Sequence, residues 1–345
     1  MNFKKLGNTD LDVSTICLGT MSYGEQNTQK DAFEQMDYAL DQGVNFLDTA
    51  EIYSVPPKKE TFGATESIIG DWFIKSKKRD KIILASKICG PMREYVRGGG
   101  NQYDKNKINE ALEESLKRLK TDYIDLYQLH WPERKVGMFG KLDFEYDSSD
   151  KWTPIEEVLE NLSNLIKSGK IRYVGLSNET PWGILSFLKI AEQKKLPRIM
   201  SVQNCYSLVN RVFDIANSEV SIREKCGLLA YSPLAGGRLS GKYMNGKRPE
   251  NCRYSLWPGR FSRHLTERGE LAVTKYVNLA KKYHIEPSTF ANAFVINRPF
   301  VTSSIIGATS VKDLEENIKC IDINLTDEML NEIENIHLSD PNPCV

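Results

Sequence analysis

Four side chains suited to proton transfer occur where predicted strands end. Asp48, Lys87 and His130 each close a short apolar run, and Tyr53 lies five residues after Asp48. In a parallel barrel these strand ends meet at one mouth, so we expect the four side chains to lie close together. The combination indicates one task, which is to make a tyrosine act as an acid near neutral pH.

The expected roles follow from the chemistry of the phenol. A free phenol has a pKa of about 10 and transfers its proton poorly at pH 7. We expect Lys87 to lower the pKa of Tyr53, because a nearby ammonium favours phenolate, and Asp48 to hold that ammonium charged and oriented. Neutral His130 would donate a hydrogen bond to a substrate oxygen. Each residue alone also fits a structural role, but four coincidences on adjacent strand ends are harder to account for than one shared site.

The later predicted strands end in amide, hydroxyl and aromatic side chains. Ser177 and Asn178 follow one strand, Gln203 ends the next, and Tyr231 ends the one after. The polar groups could hold a carboxamide while Tyr231 stacks on a ring face, as a nicotinamide requires.

Two common nucleotide-binding motifs and a metal site are excluded. Residues 236–242 have the glycine and lysine spacing of a Walker loop, but Tyr243 stands where Ser or Thr would bind magnesium. A flexible glycine-rich flap over a pyrophosphate remains compatible with this run. No Gly-x-Gly-x-x-Gly follows a predicted strand, which removes the Rossmann route to a dinucleotide. The seven cysteines are scattered without metal-ligand spacing, so no metal is expected.

The elements that must position these residues are short β-rich runs alternating with amphipathic stretches. Eight parallel strands fit either a long doubly wound sheet or a closed barrel, and eight is the barrel's number. We therefore predict an α/β fold, a (β/α)8 TIM barrel, with residues 1–345 forming a single domain. The predicted strands are residues 15–18, 44–47, 82–86, 124–129, 173–176, 200–202, 228–230 and 304–306, and the predicted helices include residues 29–41, 66–75, 107–119, 154–167, 181–194 and 214–225.

Additional segments lie outside this repeat. Residues 3–6 and 11–14 flank a Gly-Asn turn and predict an N-terminal β-hairpin that plugs the bottom of the barrel. Residues 326–337 predict an extra C-terminal helix. Three irregular stretches follow strands and would cover the C-terminal face as substrate and cofactor loops. They are residues 89–106, 131–153 and 233–265.

Composition limits the partners. The chain has 345 residues, of which 40% are hydrophobic, and 46 basic residues balance 46 acidic ones. A neutral balance provides no field to hold nucleic acid or an anionic membrane surface, so neither partner is expected. The first residues have no apolar core of a signal peptide, and no run approaches a membrane span. We therefore expect a cytoplasmic protein.

These motifs together resemble one family, the aldo-keto reductases, and within it the Tas-like branch related to potassium-channel β-subunits. The resemblance covers nearly the whole chain. It rests on LGTM at 18–21, NFLDTAEIY at 45–53, ASK at 85–87, DLYQLH at 125–130, GLSN at 175–178 and AYSPL at 230–234.

The resemblance implies a barrel that reduces aldehydes and ketones with NADP(H). It implies that Tyr53 is the acid, that Lys87 and Asp48 tune it, and that His130 orients the carbonyl. The substrate would be a small-molecule carbonyl compound. The implied cofactor contacts are Gly19, Thr20, Met21, Ser177, Asn178, Gln203 and Tyr231 near the nicotinamide, Ser232, Leu234, Gly236, Leu239, Gly241 and Lys242 along the pyrophosphate, and Gly307, Thr309, Asp313, Glu316 and Asn317 around the adenosine.

One position departs from the family pattern. Asp313 stands where related sequences usually carry Gln or Arg near the 2′-phosphate, so NAD(H) is possible beside the favoured NADP(H). Residues 310–313 also fit a capping box, in which Asp313 would turn back to the Ser310 amide and away from the ribose.

Two other functions remain open on the sequence. The chain could be an NADP(H)-sensing regulatory subunit, since potassium-channel β-subunits keep the same four residues. A lysine at a strand end also serves Schiff-base lyases, which would make Lys87 a nucleophile. The sequence does not identify the substrate, although Tyr23, Trp131, Phe139 and Trp152 are candidates to line its pocket.

Overall fold

The computed structural model describes residues 1–260 and 262–345. Within them, eight parallel strands follow one another around a closed barrel, and the last strand pairs with the first. A separate two-stranded hairpin precedes the barrel. The hairpin strands are β1 (Phe3–Lys5) and β2 (Asp12–Ser14), and the barrel strands are β3 (Ile16–Gly19), β4 (Phe46–Asp48), β5 (Ile83–Ile88), β6 (Ile124–Leu129), β7 (Ile171–Ser177), β8 (Ile199–Cys205), β9 (Gly227–Tyr231) and β10 (Val301–Ile306). The predicted fold class and all eight predicted barrel strands are confirmed.

Helices cover the outside of the barrel. In α4, for example, Val158, Leu162 and Leu165 form a buried stripe at helical spacing. The helices in the described residues are α1 (Gln29–Asp41), α2 (Ala64–Ser76), α3 (Lys105–Leu119), α4 (Ile155–Lys167), α5 (Pro181–Lys194), α6 (Asn217–Arg223), α7 (Arg253–Leu256), α8 (Glu267–Lys282), α9 (Pro287–Ile296), α10 (Val311–Ile318) and α11 (Asp327–Ser339). The predicted C-terminal helix is confirmed as α11, and the Thr326 side chain caps it by accepting from the Met329 amide.

Two parts of the helical layer differ from the sequence prediction. The helix predicted at residues 214–225 is shorter, because the Asp214 carboxylate accepts from Arg211 and Tyr206 instead of capping a helix, and α6 begins only at Asn217. Helices α8 and α9 were not among the predicted helices. They lie between β9 and β10, after the long irregular stretch at residues 233–265, of which residue 261 lies outside the described residues.

Strand alternation separates an inner from an outer set of buried side chains. Phe46, Ala85, Leu126 and Leu229 belong to one apolar cluster inside the barrel, whereas their neighbours in the chain pack against the helices. Side chains two positions apart share a face of a strand. The residues that follow these four by two positions therefore point into the same interior, nearer the mouth; they are Asp48, Lys87, Gln128 and Tyr231.

The N-terminal hairpin closes the opposite end of the barrel. β1 and β2 pair antiparallel, with Phe3 opposite Ser14. Leu6, Leu11 and Val13 are buried and join the apolar cluster inside the barrel. The predicted plug is confirmed, and the site has one open end at the carboxyl ends of the strands.

A buried ionic cluster holds the amino ends of neighbouring strands. The Asp125 carboxylate, at the start of β6, accepts from Arg79 Nη2 at 2.9 Å, from Arg172 Nη1 at 2.8 Å and from the Leu84 amide at 2.9 Å. This cluster lies at the end of the barrel away from the mouth.

No helix of the described residues combines the length and the apolar character needed to cross a bilayer.

Removal of the buried plug side chain is expected to destabilise the barrel. Leu6→Ala leaves a cavity in the interior cluster and should lower the free energy of unfolding by about 2–5 kcal/mol. Urea unfolding followed by tryptophan fluorescence measures the change. Leu338→Ala is the matched control, because Leu338 is 65% exposed. Equal unfolding midpoints for the two variants would contradict a plug that supports the interior.

Candidate active site

The four residues predicted to carry the chemistry lie together at the mouth of the barrel. Asp48 ends β4, Lys87 lies near the end of β5, and His130 directly follows β6. Tyr53 lies in the loop after β4, within a turn in which its amide donates to the Ala50 carbonyl at 3.0 Å. Asp48, Lys87 and His130 are buried.

The Lys87 ammonium is the centre of this cluster. Its Nζ donates to Asp48 Oδ2 at 2.6 Å and to the Thr49 carbonyl at 2.7 Å, and it lies 3.5 Å from the Tyr53 hydroxyl. Burial lowers the pKa of Lys87, but the Asp48 carboxylate and the Tyr53 phenol raise it by more, so the pKa lies above its ordinary value. Lys87 is therefore a fixed cation beside the phenol.

The pKa of Tyr53 differs from the sequence expectation. Burial raises this pKa, and the neighbouring Lys87 charge lowers it but does not outweigh burial, so the pKa lies above its ordinary value. The sequence prediction is therefore right about the effect of Lys87 alone, which lowers the pKa of Tyr53. It is wrong about the net pKa shift, which is upward. The phenol therefore carries its proton at neutral pH, which is the form that a proton donor needs.

The His130 ring lies at the edge of the phenol. The ring centroids of His130 and Tyr53 are 5.7 Å apart in an edge-to-face arrangement, and the Trp131 ring lies 4.8 Å from His130 on another side. Burial and the Lys87 charge hold the pKa of His130 well below its ordinary value, so the ring is neutral. Its Nδ1 is buried and has no hydrogen-bond partner among the described residues.

Two amide side chains occupy the second oxygen of Asp48. Gln203 Nε2 donates to Asp48 Oδ1 at 2.8 Å and to Gln128 Oε1 at 3.2 Å, and Gln128 Nε2 lies 3.3 Å from the same Asp48 oxygen. Both amides are buried. Sequence reasoning assigned Gln203 to the cofactor and missed Gln128. Strand alternation could have found it, since Gln128 precedes His130 by two positions and shares its face.

The other residues predicted to hold a carboxamide form one hydrogen-bonded chain beside the four. Ser177 Oγ donates to the Gln203 carbonyl at 2.8 Å, and Asn178 Nδ2 donates to the His130 carbonyl at 2.8 Å. The Tyr231 hydroxyl donates to Asn178 Oδ1 at 2.7 Å. Among the described residues, no donor reaches the Gln203 side-chain oxygen, so this oxygen can accept from a carboxamide N–H. The donor and acceptor set fits a carboxamide-bearing ring.

The residues after β3 border the same mouth. Gly19 pairs with Asp48 in the barrel register, and the Thr20 hydroxyl donates to the Asp48 carbonyl at 2.8 Å. The Met21 carbonyl accepts from the Val55 amide at 2.8 Å, which ties this segment to the loop that carries Tyr53.

The residues predicted along a pyrophosphate form a tight turn after β9. Gly236 and Gly241 have φ angles of 69° and 79°, in the left-handed region that favours glycine. Backbone bonds from Gly237 and Leu239 to the Leu234 carbonyl close the turn. Leu239 is buried in the core and its amide donates within the turn, so neither its side chain nor its N–H group is free for a ligand. The other predicted residues of this segment, Ser232, Leu234 and Lys242, are half-buried.

The residues predicted around an adenosine lie at the start of α10 and on its face. Ser310 Oγ accepts from the Asp313 amide at 3.1 Å, as predicted. The Asp313 carboxylate does not return to the Ser310 amide, which corrects the expected capping box. It accepts instead from Thr309, at 2.6 Å from the hydroxyl and 3.2 Å from the amide, because this geometry satisfies both donors.

The remaining predicted adenosine residues contact α9 and the end of β10. Glu316 Oε1 accepts from the Ser288 hydroxyl at 2.6 Å. Asn317 is buried, and its Nδ2 donates to the Gly307 carbonyl at 3.3 Å. Gly307 itself is exposed, and a side chain there would meet no atom within 4 Å.

Of the aromatic pocket candidates, the structure groups three. Trp131 contacts both His130 and Phe139, with the Phe139 ring 6.1 Å away. Trp152 is 40% exposed and lines one cavity with Trp131. Tyr23 is wholly buried in the core and donates to Gln35, so it does not line a pocket.

Three relatives match nearly the whole chain in sequence comparison. It is 44% identical over 339 residues to Protein tas of Escherichia coli (strain K12), covering 98% of both chains. It is 34% identical over 339 residues to the uncharacterized oxidoreductase YrpG of Bacillus subtilis (strain 168), covering 97% of this chain and 96% of the relative. It is 29% identical over 351 residues to a probable voltage-gated potassium channel subunit beta of Arabidopsis thaliana, covering 99% and 98%.

The family model described as "Aldo/keto reductase family" matches residues 15–337, from the first barrel strand into the last helix. The resemblance drawn from the sequence motifs is confirmed by this match and by the closed parallel barrel. The chain belongs to the aldo/keto reductase family of oxidoreductases.

Proposed function

We propose that this protein reduces aldehydes or ketones to alcohols with NADP(H), and that Tyr53 is the general acid. The observation that carries the proposal is one buried ammonium in contact with both a carboxylate and a phenol. Lys87 Nζ lies 2.6 Å from Asp48 and 3.5 Å from the Tyr53 hydroxyl. A protonated phenol beside a fixed cation can give its proton to a carbonyl oxygen as negative charge develops there.

Each of the four residues has one step in this mechanism. The reduced nicotinamide, when bound, would supply a hydride to the carbonyl carbon. Tyr53 donates its proton to the carbonyl oxygen, so the C=O bond becomes an alcohol. Lys87 stabilises the phenolate that remains until solvent returns a proton, and Asp48 keeps Lys87 charged and in place. Neutral His130 donates a hydrogen bond to the same oxygen and orients it toward Tyr53; because Nδ1 is buried, Nε2 is the donor.

The nicotinamide end of the cofactor would be held by the hydrogen-bonded chain beside the four residues. Ser177, Asn178 and Gln203 offer amide and hydroxyl groups to the carboxamide, and Tyr231 offers its ring. Lys242, which directly follows the glycine turn at residues 236–241, would bring its ammonium to the pyrophosphate.

The preference for NADP(H) over NAD(H) is expected to be weak. The start of α10 favours a 2′-phosphate, because a helix N-terminus attracts anions and Lys312 adds a positive charge there. Against this, the Asp313 carboxylate engages Thr309 at the start of α10, where a 2′-phosphate would bind. Like charges a few ångströms apart repel, so Asp313 reduces the preference.

Two other functions are weighed by the same observations. Likeness to the potassium channel relative across 99% of the chain supports a cofactor-sensing subunit. Repeated turnover of a carbonyl substrate by the wild-type protein would favour an enzyme instead. A Schiff-base lyase loses support, because Lys87 is paired with Asp48 as an ammonium and an ammonium is not a nucleophile.

Removal of the phenol hydroxyl is expected to abolish reduction without loss of cofactor affinity. Tyr53→Phe should lower kcat at least about a hundredfold, since a positioned acid contributes that much, and leave the Kd for NADPH nearly unchanged. Loss of nicotinamide absorbance measures the rate. The control is Tyr276→Phe, which alters a buried tyrosine of α8 away from the mouth. A Tyr53→Phe rate above about one-hundredth of wild type would contradict the assignment.

Loss of the cation is expected to change the pH profile as well as the rate. Without the Lys87 charge, the pKa of Tyr53 rises further. Reduction needs the protonated phenol and fails as pH rises through this pKa, so Lys87→Met should move the alkaline limb of the kcat profile to higher pH while lowering kcat. Because a lone buried carboxylate destabilises the fold, the double variant Lys87→Met/Asp48→Asn is measured beside it. An unchanged limb in both variants would refute the tuning by Lys87.

Neutralisation of Asp313 is expected to favour NADPH. Asp313→Asn keeps an oxygen for the Thr309 donors but removes a charge, and about 1 kcal/mol of relieved repulsion corresponds to roughly a fivefold shift in relative affinity toward NADPH. Fluorescence titration with NADPH and NADH measures both dissociation constants. An unchanged ratio would mean that the Asp313 carboxylate only holds Thr309 in place. Wild-type binding of NADH tenfold tighter than NADPH would defeat the proposed cofactor.

A further inference from the structure

Glu51 links the strand end of Lys87 to the turn of Tyr53. It is wholly buried and lies between Asp48 and Tyr53 in the chain. Its amide donates to the Lys87 carbonyl at 3.1 Å, and its Oε1 accepts from the Cys89 amide at 2.6 Å. Glu51 therefore fixes the backbone at Lys87 and just after it, and it lies within the turn that presents the phenol.

Arg97 completes the hydrogen bonds of this carboxylate. Its Nη1 donates to Glu51 Oε2 at 2.6 Å and its Nη2 to Oε1 at 2.7 Å, which is a bidentate pair. Arg97 lies in the irregular stretch at residues 89–106 and has a φ of 44°. Its Nε donates to Gln102 Oε1 at 3.0 Å. Sequence analysis predicted this stretch to be a substrate or cofactor loop. The Glu51–Arg97 pair ties it to the turn that carries Tyr53.

Gln102 passes the connection to a second carboxylate. The backbone N–H groups of Gln102 and Tyr103 donate to Glu133 Oε1 at 2.5 and 2.7 Å. The backbone N–H of Thr153 donates to Glu133 Oε2 at 2.7 Å. The Tyr103 hydroxyl donates to the Trp131 carbonyl at 2.5 Å. Trp131 is the neighbour of His130 in the chain and in ring contact, so the connection ends at the residue that orients the carbonyl.

The surroundings make this connection rigid. Ala50, Ile52, Cys89 and Val96 form a buried apolar cluster, with Tyr53 and Trp131 packed against it, and the Cys89 amide of this cluster binds the buried Glu51 carboxylate. Charges in such surroundings are costly unless they are paired and hydrogen-bonded. The two carboxylate oxygens of Glu51 and the three guanidinium nitrogens of Arg97 all have partners, so the pair has one favoured geometry.

We propose that Glu51 and Arg97 are positioning residues that, through Gln102 and Glu133, fix the Tyr53 hydroxyl relative to the His130 ring. The proposal rests on the proposed carbonyl reduction. Misplacement of a reacting group by about 1 Å can lower a rate about a hundredfold, so a buried connection between the acid and the orienting ring acts on kcat. The side chains of these four residues make no hydrogen bond to a described residue proposed to hold the cofactor.

The test compares Arg97→Met, Glu51→Gln and their double variant with wild type. Arg97→Met should lower kcat at least about tenfold, leave the Kd for NADPH within about twofold, and raise the solvent deuterium isotope effect on kcat, because proton transfer becomes slower. The double variant should be no slower than the slower single variant, since the two residues act as a unit. It also removes both charges of the pair, which protects folding if a single variant fails to fold.

A readout independent of turnover accompanies the kinetics. Amide hydrogen exchange should become faster in residues 49–55 and 130–132 of the Arg97→Met protein, because these segments lose their common support. The control is Arg79→Met, which breaks the buried contact to Asp125 at the other end of the barrel. This control should lower the unfolding temperature without changing kcat, the isotope effect or exchange at the two segments.

The outcomes separate the two proposals. Faster exchange at both segments supports positioning even if no carbonyl compound is reduced by the wild-type protein, a result that would instead refute the proposed function. An Arg97→Met protein that behaves as Arg79→Met does, with a lower unfolding temperature but unchanged kcat, isotope effect and exchange, would overturn the positioning role.

Discussion

Lys87 and Asp48 place opposite charges inside the barrel, where either charge alone would be costly, and the surrounding structure keeps them paired. Lys87 has a carboxylate, a carbonyl and a phenol as partners, and two glutamine amides hold the far oxygen of Asp48. Removal of one partner of a buried ion pair typically costs about 3–5 kcal/mol. The pair therefore constrains four strands, which are β4, β5, β6 and β8, together with the loop of Tyr53.

The closed barrel is what allows so many groups to meet at this pair. Residues from β4, β5, β6 and β8 reach one carboxylate because strand alternation points every second side chain inward, and closure brings strands far apart in the chain within reach. Burial favours the neutral form of both Tyr53 and His130, so it shifts their pKa values in opposite directions. It keeps the phenol protonated by raising the pKa of Tyr53, and it keeps the His130 ring neutral by lowering its pKa.

Much of this arrangement could be predicted from the sequence, and the missing parts have physical reasons. Asp48, Lys87 and His130 stand at strand ends, and Tyr53 stands in the loop after the first of them, so periodicity and parallel topology together predict that they converge. The net pKa shift of Tyr53 could not be predicted, because it depends on burial as well as on the visible charge of Lys87. The Glu51–Arg97 pair has no periodic signal, since Arg97 lies in a glycine-rich stretch at a positive φ and its partner is 46 positions away. Asp313 was assigned to the correct end of its helix but to the wrong donor, because the choice between the amides of residues 309 and 310 depends on local backbone angles.

The pairing of β10 with β3 has a consequence for how the chain acquires its structure. Ser304 lies opposite Ile16, and the hairpin residues pack against side chains of β9 and β10 as well as β4 and β5. During synthesis, the first strands leave the ribosome long before their last partners exist, so β3 has an unpaired edge until nearly all of the chain has emerged. Such long-range closure slows folding and exposes strand edges that can pair with other chains. Protection of the nascent chain during that interval is thus a requirement of this architecture, separate from any requirement of its chemistry.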